Sequence, residues 1–575
     1  MSAPSPRVRL AQRKGINVET SVFAQSGTYR WHLALPAMLA ALLTLAACGE
    51  DTVPVANTAA NDTVVQSSVS VPGSIPPANP ETNASTPPEL NHGYAQVYQL
   101  AGVSDAAITK VLVMMPGFLG GANDFNYLGQ RIVLRSHGAT AVWAVDRRSN
   151  ALEDQTGLDA AEAAKNPDIA KNYYFHGAAI DGKTFAGFID GKTISYAAEW
   201  GIKATIEDLD ALISAAIARY PHAAIILGGH SLGGSIVPIY AAWNFGDHSG
   251  FERLSGLVLL EGAPNPQDPT EIPKQSAYEQ SGLNVGGSRA SVHSLRSGDP
   301  VVSLKPFVTT DLFVTAEILG MRVSSLVGAG QEPSPDADLI TSFFTLLFGL
   351  PTVPPGTNSA ALGFGFDNDY EPLSFARVSM GEAIGPVGPN PNAAFLSGFV
   401  GPNDHLLAPI DAQAMYDWTP AVEQAVPEPT DMQTFAHILF AGPTNFIEWY
   451  FPARLTLDVG VTDSLNVQPT GDWRKDVYGL AVTENARVDV PVFAVGGSKG
   501  LVPDLGAYDP YRQSIAPVLR NGTRRDAVDA GFQTRLMPNY VHLDVITARD
   551  EGEGNGEFAA LVDWMDTAVR LAPKK

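Results

Sequence analysis

The chain of 575 residues holds one cysteine, Cys48. No disulfide can form within it, and no cysteine-based metal site can be built. Charge is scarce, with Asp, Glu, Lys and Arg at 17% of residues, and acidic residues outnumber basic ones 60 to 37. A formal net charge of −23 repels phosphate backbones, so no nucleic-acid partner is expected. The sequence contains no His-Glu-x-x-His and no phosphate-binding glycine loop. The segment "DNDYE", Asp367 to Glu371, has calcium-like spacing but lacks the glycine of an EF-hand loop and reads as a solvated loop. Neither a metal nor a cofactor is expected. Long apolar runs are missing too: Leu33 to Cys48 gives about 15 residues and Leu339 to Leu350 about 12, both short for a membrane span. What is present is 45% hydrophobic residues, in a chain too long for one core of ordinary size, so an extra domain or large insertion is expected.

The position of the lone cysteine carries information. It closes the run "LALPAMLAALLTLAAC", Leu33 to Cys48, which follows Arg7, Arg9, Arg13, Lys14 and Arg30. A basic lead, a short apolar stretch and small residues at its end make a secretory signal. "LAAC", Leu45 to Cys48, resembles the lipobox of bacterial lipoproteins. That resemblance implies cleavage after Ala47, a lipid anchor on Cys48, and a place in the bacterial cell envelope. Gly49, rather than aspartate, follows the cysteine, which implies the outer membrane. Residues 1–47 are thus expected to be a signal peptide. Residues 48–91, rich in Ala, Asn, Thr, Ser, Val and Pro, are expected to be a flexible tether, with order beginning near His92.

Beyond the tether, solidly apolar strands alternate with amphipathic helices. Strands are expected at Ile108 to Gly117, Gly138 to Arg148, Ala223 to Gly229, Leu254 to Gly262, Val488 to Gly497 and Phe532 to Asn539. Between them "NYLGQRIVLRSH", Trp200 to Pro221, "LGGSIVPIYAAWNF" and "GEFAALVDWMDTAVRLA" read as helices. Strands apolar on both faces imply an α/β protein with a mostly parallel sheet covered by helices on each side. The alternation stops after residue 262 and resumes at 488, so residues 92–262 and 488–575 form the core and 263–487 an inserted cap or lid domain. Within the insert, Leu339 to Leu350 reads as a buried helix that can also wall a substrate cleft. The pentapeptide IDGKT occurs at Ile180 and again at Ile189, and its Asp-Gly pairs predict a small hairpin.

The pattern Gly-x-Ser-x-Gly occurs at Gly229 to Gly233, around Ser231, and at Gly496 to Gly500, around Ser498. Nucleophile chemistry needs a strand, a sharp turn and a helix, so that a strained backbone pushes the hydroxyl outward and the helix N-terminus faces the oxyanion. Ser231 has all three parts. Ser498 has the strand, but Pro503 and Pro510 follow closely, and it reads as a loop serine.

"GGHSLGG", the "PGFLGG" loop after the Ile108 strand and a histidine after the last strand together resemble the α/β-hydrolase superfamily. The likeness covers about residues 92–262 and 488–572. It implies an α/β-hydrolase fold, with an eight-stranded, mostly parallel sheet, a large cap inserted after the sixth strand, and a Ser–acid–His triad. It also implies an oxyanion hole formed by the backbone N–H groups of Leu232 and Phe118, although Pro116-Gly117 stands where relatives often have His-Gly. Of eleven histidines, His405 and His437 lie in the insert, and His230 lies inside the turn and is expected to point elsewhere. His542, in "NYVHLDVIT", follows the final strand and is the expected base. "HLD" also resembles the histidine region of acid-lipase-like hydrolases. The acid is harder to place. The superfamily usually carries it after the seventh strand, where this chain has "GGSKGLVPD" with Lys499 or Gly500 in its place. Two substitutes remain open: Glu261, closing the sixth strand in "VLLEGAP", and Asp504. A carboxylate ending a run of Val and Leu is costly to bury without a partner, which favours Glu261.

The resemblance implies a serine hydrolase cleaving carboxylic esters through an acyl-enzyme, with a small-molecule or lipid ester as substrate. The Phe- and Leu-rich insert favours an apolar or bulky group on it. The alternatives are an amidase or peptidase using the same triad, or a catalytically dead hydrolase-fold binding lipoprotein, which the missing aspartate near Gly500 keeps open.

Overall fold

The computed structural model describes residues 63–264, 273–285, 288–302, 309–400, 405–420, 428–462, 471–516, 531–550 and 556–571. The expected leader, Cys48 and the first part of the expected tether lie outside the described residues.

Eight strands form the main sheet: β1 Val64–Pro72, β2 His92–Leu100, β3 Lys110–Met115, β4 Thr140–Asp146, β5 Ala224–His230, β6 Gly256–Leu260, β7 Val492–Gly497 and β8 Phe532–Met537. Their spatial order is β1-β2-β4-β3-β5-β6-β7-β8. The β1–β2 and β2–β4 pairs are antiparallel and the remaining pairs parallel. This is the α/β-hydrolase fold. The β3, β4, β6 and β7 strands are buried along their whole length. Their side chains alternate between two helical layers. Val111, Val113 and Met115 pack with α2 (Ile202–Arg219) and α3 (Leu232–Ala241). Leu112 and Met114 pack with α1 (Asn126–Arg135) and, at the C-terminus, Glu557–Leu571. The edge strand β8 instead alternates between buried and exposed positions.

Order begins earlier than His92. Val64–Pro72, expected within the tether, is the edge strand β1, paired from Val64↔Leu100 to Pro72↔His92. Its serines and small valines resemble linker composition. An edge strand needs little apolar surface, because the ladder to β2 supplies its backbone hydrogen bonds, and Pro72 is tolerated at an edge.

The insert leaves the sheet after β6, the sixth strand in chain order, and returns at β7. It does not build a core of its own. Phe313, Val314 and Ile318 join the cluster on the α2/α3 side, while Phe344, Phe348 and Phe364 join the cluster on the α1 side. The described residues accordingly form one compact unit. Three insert helices matter for the site: α4 Thr310–Val323, α5 Ala337–Phe348 and α6 Asn358–Phe366. The α5 helix buries Ile340, Phe344, Leu347 and Phe348 and leaves Asp338, Ser342 and Thr345 exposed.

The two IDGKT copies diverge. The first makes the expected hairpin, Ala179–Ile180 against Lys183–Thr184, with Asp181 and Gly182 both at positive φ. In the second, Asp190 instead caps the 3-10 segment Gly191–Glu199 by accepting from the Lys192 N–H. The "DNDYE" segment is not a solvated loop either. Asp367, Tyr370 and Glu371 are all buried, and Asp367 accepts from the Asp369 and Met380 N–H groups.

No helix among the described residues is long and apolar enough to cross a membrane.

Candidate active site

The site lies at the carboxyl edge of the sheet, beside β3, where the strand order reverses and ligands of open α/β sheets collect. Ser231 joins β5 to α3 at φ 55° and ψ −121°, a backbone angle rare for a residue with a Cβ. The motif glycines make this bend possible. A Cβ on Gly229 would lie 2.3 Å from the Gly233 backbone, and one on Gly233 2.1 Å from the Met115 carbonyl oxygen. As the first residue of α3, Leu232 has an N–H with no partner inside its own helix.

Glu261 follows β6 directly, also at positive φ (49°), and its side chain is fully buried. Four donors surround its carboxylate. Oε1 accepts from the N–H groups of Gly497 (2.6 Å) and Val502 (3.2 Å), and Oε2 from Leu501 N–H (2.6 Å) and His542 Nδ1 (3.0 Å). A buried charge so enclosed is compensated. The donors from 497, 501 and 502 come from the last residue of β7 and the loop after it, so Glu261 occupies the space that an acid on that loop would need. A Cβ on Gly500 would fall 2.3 Å from Glu261 Oε2. Asp504, the other candidate, is exposed and accepts from the Gly506 N–H as a helix cap. Ser498 accepts from the Asn539 N–H, as a loop serine would.

His542 sits on the loop after β8 and is 1% exposed. Its Nδ1 faces a carboxylate, which places the ring proton there and leaves Nε2 with a free lone pair. Two residues on, Asp544 pins the loop: it accepts from Val541 N–H (2.8 Å), Ser379 N–H (3.0 Å) and Thr430 Oγ1 (2.7 Å). Burial pushes its carboxyl up to about 7. His230 does not point elsewhere. Its ring centroid is 4.5 Å from that of His542, and its Nε2 lies 3.1 Å from the His542 carbonyl oxygen. That bond needs the proton on Nε2. Burial, with the neighbouring His542 second, holds the His230 pKa well below 6.5, so the supporting ring is neutral.

The loop after β3 brings Phe118 over the same spot. Gly117 approaches Ser231 so closely that a Cβ there would lie 2.9 Å from the serine Cβ. Leu119 takes φ 59°. Leu119, Ser231 and Glu261 are thus three non-glycine residues in left-handed backbone at one site.

Gly117, Phe118, Ser231, His230 and His542 share one cleft of about 1080 Å³, its open mouth included. Its far wall is the insert: Leu312, Phe313 and Leu319 from α4, Ile340, Phe343 and Phe344 from α5, and Leu362 and Phe366 from α6. The expected coexistence of a packed helix and a cleft wall at Leu339 to Leu350 is what α5 displays. Two lining residues are carboxyls to which the sequence assigned no role: Asp124, and Glu371, which closes the "DNDYE" segment expected to be solvated. Burial raises Asp124 well above the ordinary range against the opposing pull of Arg147, and pushes Glu371 up to about 8. Neither has a sequence signal, because each is carried to the cleft by its loop. Among the described residues, no group of three His, Cys, Asp or Glu side chains could hold a metal ion.

No family model matches the chain, and no curated protein matches it by sequence. Solved structures match by shape. The peroxisomal α/β-hydrolase of Saccharomyces cerevisiae covers 90% of this chain and 92% of its own, at 11% identity and a TM-score of 0.35. The monoacylglycerol lipase of Paleococcus ferrophilus covers 80% and 96%, at 10% identity and 0.30. An epoxide hydrolase from Vigna radiata covers 82% and 95%, at 12% identity and 0.32. The assignment to the α/β-hydrolase fold rests on the strand order and the turn at Ser231 rather than on these likenesses.

Proposed function

We propose that the chain is a serine hydrolase of carboxylic esters carrying an apolar or bulky group. The observation that carries this reading is that His542, hydrogen-bonded through Nδ1 to the buried Glu261, lines one cleft with Ser231. His542 Nε2 takes the proton of Ser231 as its oxygen attacks the ester carbonyl. The carbonyl oxygen, now negative, is held by the N–H groups of Phe118 and Leu232. The tetrahedral intermediate collapses, His542 passes the proton to the departing alcohol, and water releases the acid from the acyl-enzyme by the same steps. Glu261 holds the imidazole in its working tautomer and stabilises it when it is charged. The apolar wall of α4, α5 and α6 receives the acyl chain or a bulky alcohol.

The binding-lipoprotein alternative drew on glycine at 500. That argument loses its force where Glu261 already fills the space. No observation favours amides over esters. Fluorophosphonate labelling that disappears in Ser231→Ala, with ester turnover well above amide turnover, is the expected outcome. A wild-type chain that neither labels nor turns over esters sinks the reading. We also propose that the protein is lipid-anchored through Cys48 in the bacterial envelope. Incorporation of labelled fatty acid, lost in Cys48→Ala, checks this.

A further inference from the structure

Arg147 directly follows β4, in the segment "DRRSN", Asp146 to Asn150. Its side chain is 4% exposed and ends beneath the loop that carries Phe118. Nη2 donates to the carbonyl oxygens of Pro116 (2.6 Å) and Gly117 (2.8 Å), and Nη1 donates to that of Gly120 (2.8 Å). Nη1 also meets Glu448 Oε2 at 2.7 Å, and that carboxylate is fully buried. Glu448 is itself fastened to the loop, since its backbone N–H donates to the Leu119 carbonyl oxygen (2.8 Å), and Ser149 Oγ donates to its other carboxylate oxygen. The guanidinium also lies over the Phe451 ring, 5.0 Å from its centroid, and that ring packs edge-on against Phe118.

The geometry of the peptide unit gives these contacts a consequence. In a trans peptide the carbonyl of one residue and the N–H of the next point in opposite directions. The Gly117 carbonyl is drawn down to Arg147, so the Phe118 N–H is turned up, away from Arg147 and toward the cleft that Phe118 and Ser231 both line. Among the described residues the Phe118 N–H has no hydrogen-bond partner. A flipped 117–118 peptide would aim a carbonyl at the reacting oxygen and take from Nη2 one of its two carbonyl acceptors.

We propose that Arg147, held by Glu448, is a positioning residue that aims the Phe118 N–H at the oxyanion. This rests on the ester-hydrolase reading above. A planar fork with several donors in fixed directions can hold three carbonyl oxygens and a carboxylate together, whereas a lysine ammonium on a flexible stem cannot, so charge alone does not suffice.

The test compares Arg147→Met, Arg147→Lys and Glu448→Gln with Arg148→Met. Arg148 sits on the same turn and is equally buried, but it pairs with Asp208 and does not touch the loop. Three quantities are read: kcat and KM for a p-nitrophenyl ester, affinity for a trifluoromethyl ketone whose serine adduct places an oxyanion in the hole, and melting temperature. Both Arg147 variants are expected to lose about 10²–10³ in kcat with KM little changed, and to lose ketone affinity in parallel. Glu448→Gln should show the same pattern more weakly, and it carries the test together with Arg147→Lys if Arg147→Met fails to fold. Arg148→Met should lower the melting temperature and leave kcat and ketone affinity in place. Arg147 variants that melt lower yet keep kcat and ketone affinity overturn the proposal, as does an Arg148→Met that loses both. In either case the wild type still hydrolyses esters. A wild type inert toward ester, ketone and fluorophosphonate overturns the ester-hydrolase reading, and this one with it.

Discussion

Glu261 and the side-chain space of residue 500 compete for one volume. The end of β7 and the loop after it direct three backbone N–H groups at a carboxylate that arrives from the neighbouring strand β6, and glycine at 500 leaves it room. On the proposed mechanism Glu261→Gln keeps the shape, but its amide can offer His542 an N–H where an acceptor is needed. A fall in kcat of about 10³ or more is expected in steady-state assays, with the melting temperature changed far less. Asp504→Asn should match wild type, because Asp504 is an exposed cap. Equal losses in the two variants would contradict this assignment. Gly-x-Ser-x-Gly named the turn in the sequence because its chemistry is local. The acid could only be narrowed to two residues, since the partner of a histidine 281 positions away is a matter of strand adjacency. The orientation of His230 was hidden for a similar reason: contact between a ring at the end of β5 and one on the loop after β8 leaves no trace in spacing.

At the level of elements, β1 and α5 carry the most consequence. The β1 strand covers the edge of β2 along its whole length. A chain beginning at His92 would expose that edge, and is expected to melt several degrees lower and to aggregate more readily than one beginning at Thr63. Thermal unfolding and light scattering check this, and indistinguishable behaviour would mean that β1 contributes nothing. The α5 helix separates the main cleft from a neighbouring space of about 650 Å³ bordered by Pro354, Gly356 and Tyr416, and Ile340, Phe344 and Ala361 line both. Phe344→Ala should join the two. The ratio of kcat/KM for long over short acyl chains in a p-nitrophenyl ester series is then expected to rise, by about tenfold for each 1.4 kcal/mol of added burial. A fall or no change would place the acyl chain elsewhere. That α5 is a buried helix was legible from the apolar run Leu339 to Leu350. That it divides two cavities was not, because the walls facing it come from distant parts of the chain.

The molecule as a whole buries many carboxyls. Burial lifts Glu371 to about 8 and Asp544 and Glu428 to about 7, from ordinary values of 3.8 to 4.5. Each binds its proton more tightly folded than unfolded. Its stabilising contribution is full below the unfolded value and is lost as pH rises through the folded one. His230 works in the opposite sense, but only below about 6.5, where the unfolded chain takes up a proton that the folded ring refuses. Between about pH 6.5 and 8.5 the carboxyls act unopposed by it, so the melting temperature should fall across that range. Calorimetry at fixed ionic strength checks this, and a rise over the same interval would contradict it.

The sequence by itself determined the parallel sheet, the turn at Ser231 and the insertion point after residue 262. Each follows from local rules: runs of apolar residues, glycines two positions on either side of a serine, an alternation that stops and resumes. Tertiary structure alone decided which carboxylate meets His542, that a serine-rich stretch pairs as an edge strand, and that Arg147 draws three carbonyl oxygens beneath the Phe118 loop. Those outcomes depend on which strands and loops become neighbours in space. A hydrogen bond between residues far apart in the chain costs nothing in local pattern and so leaves no mark there.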